Sequence, residues 1–475
     1  MDHAAPLYQV VCQELVTDIY SGKLKNGDRL PTLQQLGIEY NAGRNTVRSA
    51  LQLLYERGYL TQVNQKQMTI CFDFENPETR QRYLEDLACR KAAISDVFDT
   101  LALLMPELAV YCLHTGSAEQ LKKTAALCEH AVDGNVASER DLFFRLFEVY
   151  QYAIAIPGNQ MLDSLLDSMF HFIMVPLSSI ERTSPAFRLS LVLIRLVMKK
   201  FRNIVLSGKA DLLKDQLEAF CRSSRRRSDH YLDRICKGLP TNPSVPFLWF
   251  PEYPAGCLYA ELIYDILTRI LTGEYQTGDP LPSYAELASL YHVSEKTSRK
   301  AVAILNRAGL VQTSNGRRTR IAAFPIADEA AFLRDPFIQI KLKSSCEAME
   351  ILTILCPPVI RESSSRIPPG RLAAYADEIA SMKNRTPDVL FEPFYRAIPS
   401  DCVQTVFRQL KKAASWGHLI ELVSAENTAL FEKVRSTLPD LLREGDTDRI
   451  IAGYCSVFQE ILNYLKTYTK DSRPS

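Results

Sequence analysis

The segment GDRLPTLQQLGIEYNAGRNTVRSALQLLYERGYL, residues 27–60, returns as GDPLPSYAELASLYHVSEKTSRKAVAILNRAGLV, residues 278–311, so residue i is matched by residue i+251. The register runs without a gap from 7 to 70. It pairs Leu7 with Leu258, Tyr8 with Tyr259, Gly22 with Gly273, Gly27 with Gly278, Leu30 with Leu281 and Pro31 with Pro282. It also pairs Tyr40 with Tyr291, Thr46 with Thr297, Arg48 with Arg299 and Gly58 with Gly309. Glycines and a proline kept in step hold two backbones to one path. The echo extends further, with Pro106 opposite Pro357 at the same offset, and with Asp141-x-x-Phe144, Ile156-Pro157 and Gly208-x-x-Asp211 returning as Asp388-x-x-Phe391, Ile398-Pro399 and Gly445-x-x-Asp448. The repeated unit is therefore about half the chain.

At 475 residues each half is long enough to bury cores of its own. A content of 47% hydrophobic and 23% charged residues excludes disorder and fibres, and a net charge of +1 gives no general pull on polyanions. Any nucleic-acid site must be a local patch. No apolar run reaches membrane-span length, and MDHAAPLYQV has no basic, apolar leader pattern. The 12 cysteines form no Cys-x-x-Cys and no zinc spacing, which predicts reduced core thiols in a cytoplasmic protein. No phosphate loop, Gly-x-Ser-x-Gly elbow or His-Glu-x-x-His motif occurs, so neither an enzyme nor a cofactor is expected.

The first ~70 residues of each half read as three helices and a hairpin. Leu7, Val10, Val11, Leu15 and Ile19 make a helical stripe that Gly22 and Gly27 end. Thr32, or Ser283 in the second copy, suits the N-cap of a helix over 33–40, and a third helix over about 44–57 stops at Gly58. Short strands follow at about 59–63 and 67–72, which completes the winged helix-turn-helix plan. The remainder of each half carries apolar residues at helical spacing, as in DVFDTLALLMPELAVYCL. The predicted fold is mainly α: winged domains over 1–74 and 257–324, helical bundles of effector type over 75–236 and 325–475, and a proline-rich linker over 237–256. Five prolines stiffen that linker, and Trp249 with its aromatic neighbours predicts that it docks on a domain surface.

A helix-turn-helix offers the N-terminal end of its last helix to the DNA major groove. In the first copy that end presents Arg44, Asn45, Thr46 and Arg48. An arginine fork takes guanine O6 and N7 together, and Asn45 would pair with adenine or cap the helix. The second copy presents Ser294, Glu295, Lys296, Thr297, Arg299 and Lys300. Glu295 stands where Arg44 does, a reversal that repels phosphate and accepts from cytosine N4. The second hairpin tip carries Gly316, Arg317, Arg318 and Arg320, suited to phosphates or a narrow minor groove, whereas the first has only Lys66 among glutamines. Thr32 and Ser283 complete the candidate DNA-contacting set. The bland alternative for these residues is a solvated charged face.

These residues carry a resemblance. GDRLPT with RNTVRSAL, and GDPLPSYAELA with VSEKTSRKAV, look like the GntR family of bacterial transcription regulators, whose pattern runs gly-asp-x-leu-pro-ser-glu-arg-glu-leu-ala, val-ser-arg-x-thr-val-arg and a gly-arg-gly-thr wing. The likeness spans about 65 residues in each half. Family DNA contacts carry over to Arg44, Thr46 and Arg48, to Ser294, Thr297 and Arg299, and to Gly316, Arg317 and Thr319. The family arginine of the second helix is replaced by Gln34 and Ala285, and the first wing has Gln65 and Gln67 in place of glycines. The helical remainders resemble, more weakly, the FCD-type effector domain of the FadR branch. That resemblance implies a small-molecule effector. Many such domains hold a divalent metal on the Asp and on histidines. Here Arg145 stands at the first histidine position, with Glu392 as its counterpart, and Phe220 lies near another, so no metal is expected.

The effector candidates are Asp141, Arg145 and Asn159. Arg145 would hold a carboxylate bidentately, or it forms a surface i,i+4 pair with Asp141; the sequence supports both. Arg225, Arg226 and Arg227 read as a solvated face or inter-domain pairing, and His171 as a satisfied core histidine. The function implied is a ligand-responsive regulator that grips double-stranded DNA with two unlike heads, an intramolecular pseudo-dimer on an asymmetric operator. The alternative is a sensing or scaffolding protein that kept the fold and lost operator binding. Further homodimerisation is left open.

Overall fold

The computed structural model describes residues 7–469 apart from 22, 41, 65–66, 74–75, 134–135, 137–138, 174–184, 252–256, 292, 314–317, 324–328, 382–390 and 423–427. It divides into two units, Met1–Trp249 with Ser400–Val406, and Phe250–Pro399 with Phe407–Ser475. No helix among the described residues is long and apolar enough to cross a membrane.

The first unit opens with α1 (Leu7–Ser21), α2 (Leu33–Glu39) and α3 (Arg44–Glu56), then the hairpin β1 (Leu60–Asn64) and β2 (Gln67–Ile70). Val11, Leu15 and Ile19 of α1 are buried with Leu36 of α2 and with Val47, Ala50, Leu51 and Leu54 of α3. Each such side chain contributes about 2 kcal/mol of burial, enough to hold three short helices that are unstable alone. Thr32 and Gln35 cap α2 reciprocally. Gly58, at φ +72, closes α3 with a backbone conformation that side chains disfavour. The strands pair antiparallel, Leu60 opposite Ile70 and Gln62 opposite Met68. Arg29 bridges to Thr69, so the chain before α2 lies along the hairpin. The expected second strand, to residue 72, stops at Ile70, and a backbone bond from Cys71 N to Tyr59 O continues the pairing beyond it.

Helix α4 (Pro77–Thr115) follows, with Asn76 as its N-cap and Pro77 in its first turn. Pro106 is buried inside α4 and does not end it. Helices α5 (Ala118–His130), α6 (Glu139–Ile154), α7 (Gln160–Ile173), α8 (Pro185–Ser207) and α9 (Ala210–Ile235) complete the bundle, with α9 packed along α4 and α8 along α5. Between α9 and residue 251 the chain forms no helix or strand. Phe247 lies edge-on to Phe172 at 5.4 Å. Trp249 is 1% exposed, and its Nε1 donates to Ser164 Oγ at 3.3 Å. Phe247 and Trp249 of the proline-rich stretch are thus embedded in the first unit.

A polar and aromatic seam joins the winged part of this unit to its bundle. Tyr20 meets Tyr83 at 4.6 Å and Phe72 at 5.3 Å between ring centroids. Its hydroxyl contacts that of Tyr59 and donates to Asp86 at 3.3 Å. Arg90, 2% exposed, lies 3.8 Å from Asp86, stacks 4.6 Å from the Phe172 ring centre, and donates from Nη2 to Phe172 O at 2.6 Å.

The second unit repeats the plan. Helices α10 (Cys257–Leu271), α11 (Tyr284–Leu290) and α12 (Glu295–Arg307) precede strands β3 (Val311–Gln312) and β4 (Arg320–Ile321), with Pro280 bridged to Arg320 as Arg29 is to Thr69. The later helices of the chain are α13 (Glu329–Arg334), α14 (Pro336–Ser364), α15 (Pro369–Ser381), α16 (Glu392–Arg396), α17 (Asp401–Ala414), α18 (Thr428–Glu444) and α19 (Thr447–Lys466), with a 3-10 stretch at Ser415–Leu422. Asp335 caps α14 and holds Arg307 of α12, tying winged part to bundle. Position 341, which is 90+251, again bears a buried cation: Lys341 Nζ lies 4.8 Å from the Trp416 ring centre.

The contact of α1 with α7 carries a pH dependence. Burial pushes the Glu14 carboxyl up to about 7, with the Asp18 carboxylate adding to it. Burial alone would lower His171, but Asp167, bonded to the ring, outweighs that and raises it. Lys23 faces the same cluster and opposes the rise at Glu14. Both folded values exceed the unfolded ones, so the folded form holds the extra proton. The stability this gives is full below about pH 4.5 and falls as pH rises through 7. In thermal melts at pH 5 and pH 8, Glu14→Gln should remove about 1–3 kcal/mol of the pH-dependent loss at this contact. An unchanged pH profile in that variant refutes the assignment.

Candidate nucleic-acid interface

In the first winged part α3 starts at Gly43, which supplies no side-chain cap. Asn45 therefore lies inside the helix, leaving its amide available for an external partner. Arg44, Asn45 and Arg48 are exposed, and Thr46 is half-buried. Arg44 and Arg48 are one turn apart, and neither has an ion pair among the described residues. Two guanidinium groups at i,i+4 repel each other by a few tenths of a kcal/mol, which an anion would relieve. Thr32 is exposed but caps α2, its Oγ1 accepting from Gln35 N at 3.3 Å. Lys66 lies outside the described residues.

The second winged part is wired differently. Ser294 caps α12, its Oγ accepting from Thr297 N at 3.2 Å. Ser283 caps α11 in the same way through Glu286. Lys296 is exposed. Arg299 donates to Glu295 at 3.3 Å and lies 4.6 Å from the Tyr284 ring centre. Lys300 Nζ sits 4.0 Å from the centre of the Tyr259 ring. Arg320 donates to Gly278 O at 2.7 Å, and Arg318 lies 3.9 Å from Glu286. Gly316 and Arg317 lie outside the described residues. Gln34 and Ala285, at the position of the missing arginine, are both exposed.

The model of the gntR family of bacterial regulatory proteins matches residues 7–70 and again 258–321. Both segments are gntR-family domains. The HTH-type transcriptional repressor NanR of Cronobacter sakazakii is 47% identical over 70 residues, covering 14% of this chain and 26% of the repressor. The NanR of Klebsiella aerogenes is 39% identical over 70 residues with the same coverage, 14% and 26%. The chain thus spans about a quarter of the length of the curated relatives it matches. Among solved structures, Streptococcus agalactiae GntR aligns over 46% of this chain and 99% of its own, at 19% identity and a TM-score of 0.23.

Outside the gntR-family domains, the effector candidates are engaged within the protein. Arg145 Nε pairs with Asp141 at 3.1 Å, and its Nη1 donates to Asp133 O at 3.1 Å. Asn159 is buried, and its Oδ1 accepts from Leu162 N at 2.9 Å in the first turn of α7. At the counterpart of Arg145, Glu392 accepts from Lys411 at 2.7 Å. Phe220 packs in the apolar cluster of α8 and α9, edge-on to Phe201. His171 Nδ1 contacts Asp167 O at 2.8 Å. Arg225 pairs with Asp99 of α4 at 2.8 Å.

Sequence reasoning missed the polar contacts that set α2 and α11. Tyr40 donates to Asp18 at 2.5 Å, and Tyr291 donates to Asp265. Asp18 also takes Lys23 at 2.9 Å, and Asp265 takes Arg269 at 2.7 Å. The signal was present, since the tyrosine is one of the repeated residues. Its acid was hidden because it lies on different turns in the two copies.

Proposed function

We propose that the chain is a DNA-binding transcription regulator whose two gntR-family domains act as an intramolecular pair of heads. The domains proposed are winged heads over 1–74 and 257–324, helical bodies of effector type over 75–236 and 325–475, and the connecting stretch 237–256. The reading rests on one observation: in each head the N-terminal turns of α3 or α12 are exposed and carry cations at the positions that a winged helix offers to the groove. The NanR relatives are named as transcriptional repressors, which supports the same class. Two heads on one chain raise the local concentration of the second to roughly millimolar when the linker permits joint binding. Because Arg44 and Glu295 differ in sign, the operator proposed is asymmetric, with unlike half-sites. A small-molecule effector, a carboxylate held at Arg145, would have to displace Asp141 from its pair. Localisation in the cytoplasm and further self-association belong to the same proposal.

The alternative, a sensing or scaffolding protein, draws on Gln34 and Ala285, where the family places an arginine. Fluorescence anisotropy of the full chain on genomic duplex fragments at rising salt separates the two. Neutralising about four to eight phosphates gives a log–log slope of roughly −4 to −7. A flat salt response, or no binding at low salt, refutes the regulator and leaves the scaffold.

A further inference from the structure

The two heads hold the same arginine in opposite ways. Arg48 and Arg299 occupy one position of the repeat, yet three other differences surround them. Leu33 becomes Tyr284, Arg44 becomes Glu295, and Ser49 becomes Lys300. In the first head these leave Arg48 without an ion pair among the described residues, beside a second arginine one turn away. In the second head the guanidinium is held against the Tyr284 ring at 4.6 Å while Glu295 takes one of its Nη groups at 3.3 Å. The pair is exposed, 61% for Arg299 and 54% for Glu295, so the ion pair itself contributes little to folding. Its consequence is geometric. A guanidinium lodged between a ring and a carboxylate samples fewer directions than one on a free stem. The formal charge on the presented turns is equal, since Arg44 and Arg48 give +2 and Glu295, Lys296, Arg299 and Lys300 together also give +2. On these turns the heads therefore differ in what they accept rather than in net charge.

We infer that Glu295, clamping Arg299 on Tyr284, is the specificity-determining residue of the second head, and that it selects a base edge that donates where the first head selects one that accepts. This inference rests on the DNA-binding reading above. A carboxylate at the start of α12 is repelled by phosphate and by the guanine O6/N7 and thymine O4 edges, and it is satisfied by the amino groups of cytosine or adenine. Arg44, at the same place in the first head, has the opposite requirement. The half-sites then differ at the base pair under this position, cytosine or adenine beneath Glu295 and guanine or thymine beneath Arg44. Holding Arg299 aside also denies it to passing phosphates, so Glu295 suppresses binding to unrelated sequence.

The test is selection of randomised duplex DNA by the full chain, followed by anisotropy on the selected and a scrambled duplex. The proteins compared are the wild type, Glu295→Gln, Glu295→Arg and Tyr284→Leu, each checked by thermal melt. Glu295→Gln should reduce discrimination at one base pair of one half-site by ~10-fold or more and strengthen binding to the scrambled duplex several-fold. Glu295→Arg should shift that half-site toward the base chosen by the first head. Tyr284→Leu, which installs the residue of the first head, should strengthen scrambled-duplex binding without changing the preferred base. If Glu295→Gln and Glu295→Arg select the wild-type sequence with unchanged affinity for the scrambled duplex, the inference falls while DNA binding stands. If the wild type binds no duplex in a salt-dependent way, both fall together.

Discussion

Replacing Arg44 and Arg48 together by alanine should lower the chain's affinity for its operator about 100-fold and make the salt slope shallower by roughly one for each phosphate contact removed. Each good arginine–base pair is worth ~1–3 kcal/mol of discrimination, and 1.4 kcal/mol is a factor of ten, so two such groups reach that scale. The effect is large because both side chains are exposed, one turn apart on α3, with no ion pair to a described residue. The companion variant, Lys296→Ala with Arg299→Ala, should cost less in total affinity. Arg299 is already engaged by Glu295 and Tyr284, so DNA gains only the difference between two partners. Hydroxyl-radical footprinting checks the division, because the first pair should erase protection over one half-site and the second pair over the other. Equal loss across both half-sites from either pair contradicts two independent unlike heads.

Arg90→Ala should be strongly damaging to the first unit, costing about 3 kcal/mol. Removing one partner of a buried ion pair strands the other charge and typically costs ~3–5 kcal/mol. Here the stranded groups are Asp86, beneath the Tyr20 hydroxyl, and the carbonyl of Phe172, whose only hydrogen-bond donor from a side chain among the described residues is Arg90. Arg90→Lys keeps the charge but loses the fork that spans Asp86 and Phe172 O, so it should recover less than half of the loss. For a unit of this size 1 kcal/mol moves the midpoint by roughly 2–4 °C, which places the alanine variant ~6–12 °C lower in calorimetry. A shift under 2 °C removes Arg90 from the seam. The matching change in the second unit, Lys341→Ala, tests whether the buried cation at this position serves both halves.

The winged parts were legible because local chemistry agreed with the fold at every level. Thr32 and Ser283 read as caps and are caps, and Gly58 reads as a helix stop and takes φ +72. Helix α2 ends at Glu39, within a residue of its expected bound. What stayed hidden was long-range pairing. Nothing around Arg90 in the sequence announces that a carbonyl 82 residues later will be its acceptor. Likewise Asp141 and Arg145 gave even support to a surface pair and to a ligand clamp, since a helical spacing fixes adjacency and says nothing about what else is near. The second partner of that guanidinium, Asp133 O, is a backbone atom and leaves no trace in composition. The wing tips, with Lys66, Gly316 and Arg317, lie outside the described residues.

The tyrosine that steadies the second helix in each copy reaches an acid at Asp18 in one and at Asp265 in the other, and those positions are not equivalent in the repeat: 265 answers to 14, and 18 answers to Arg269. The N-terminal copy carries acids on both turns, Glu14 and Asp18, whereas in the C-terminal copy the second turn carries Arg269, a base that braces Asp265 at 2.7 Å. The same tyrosine anchor thus tolerates a shift of one helical turn in its acid.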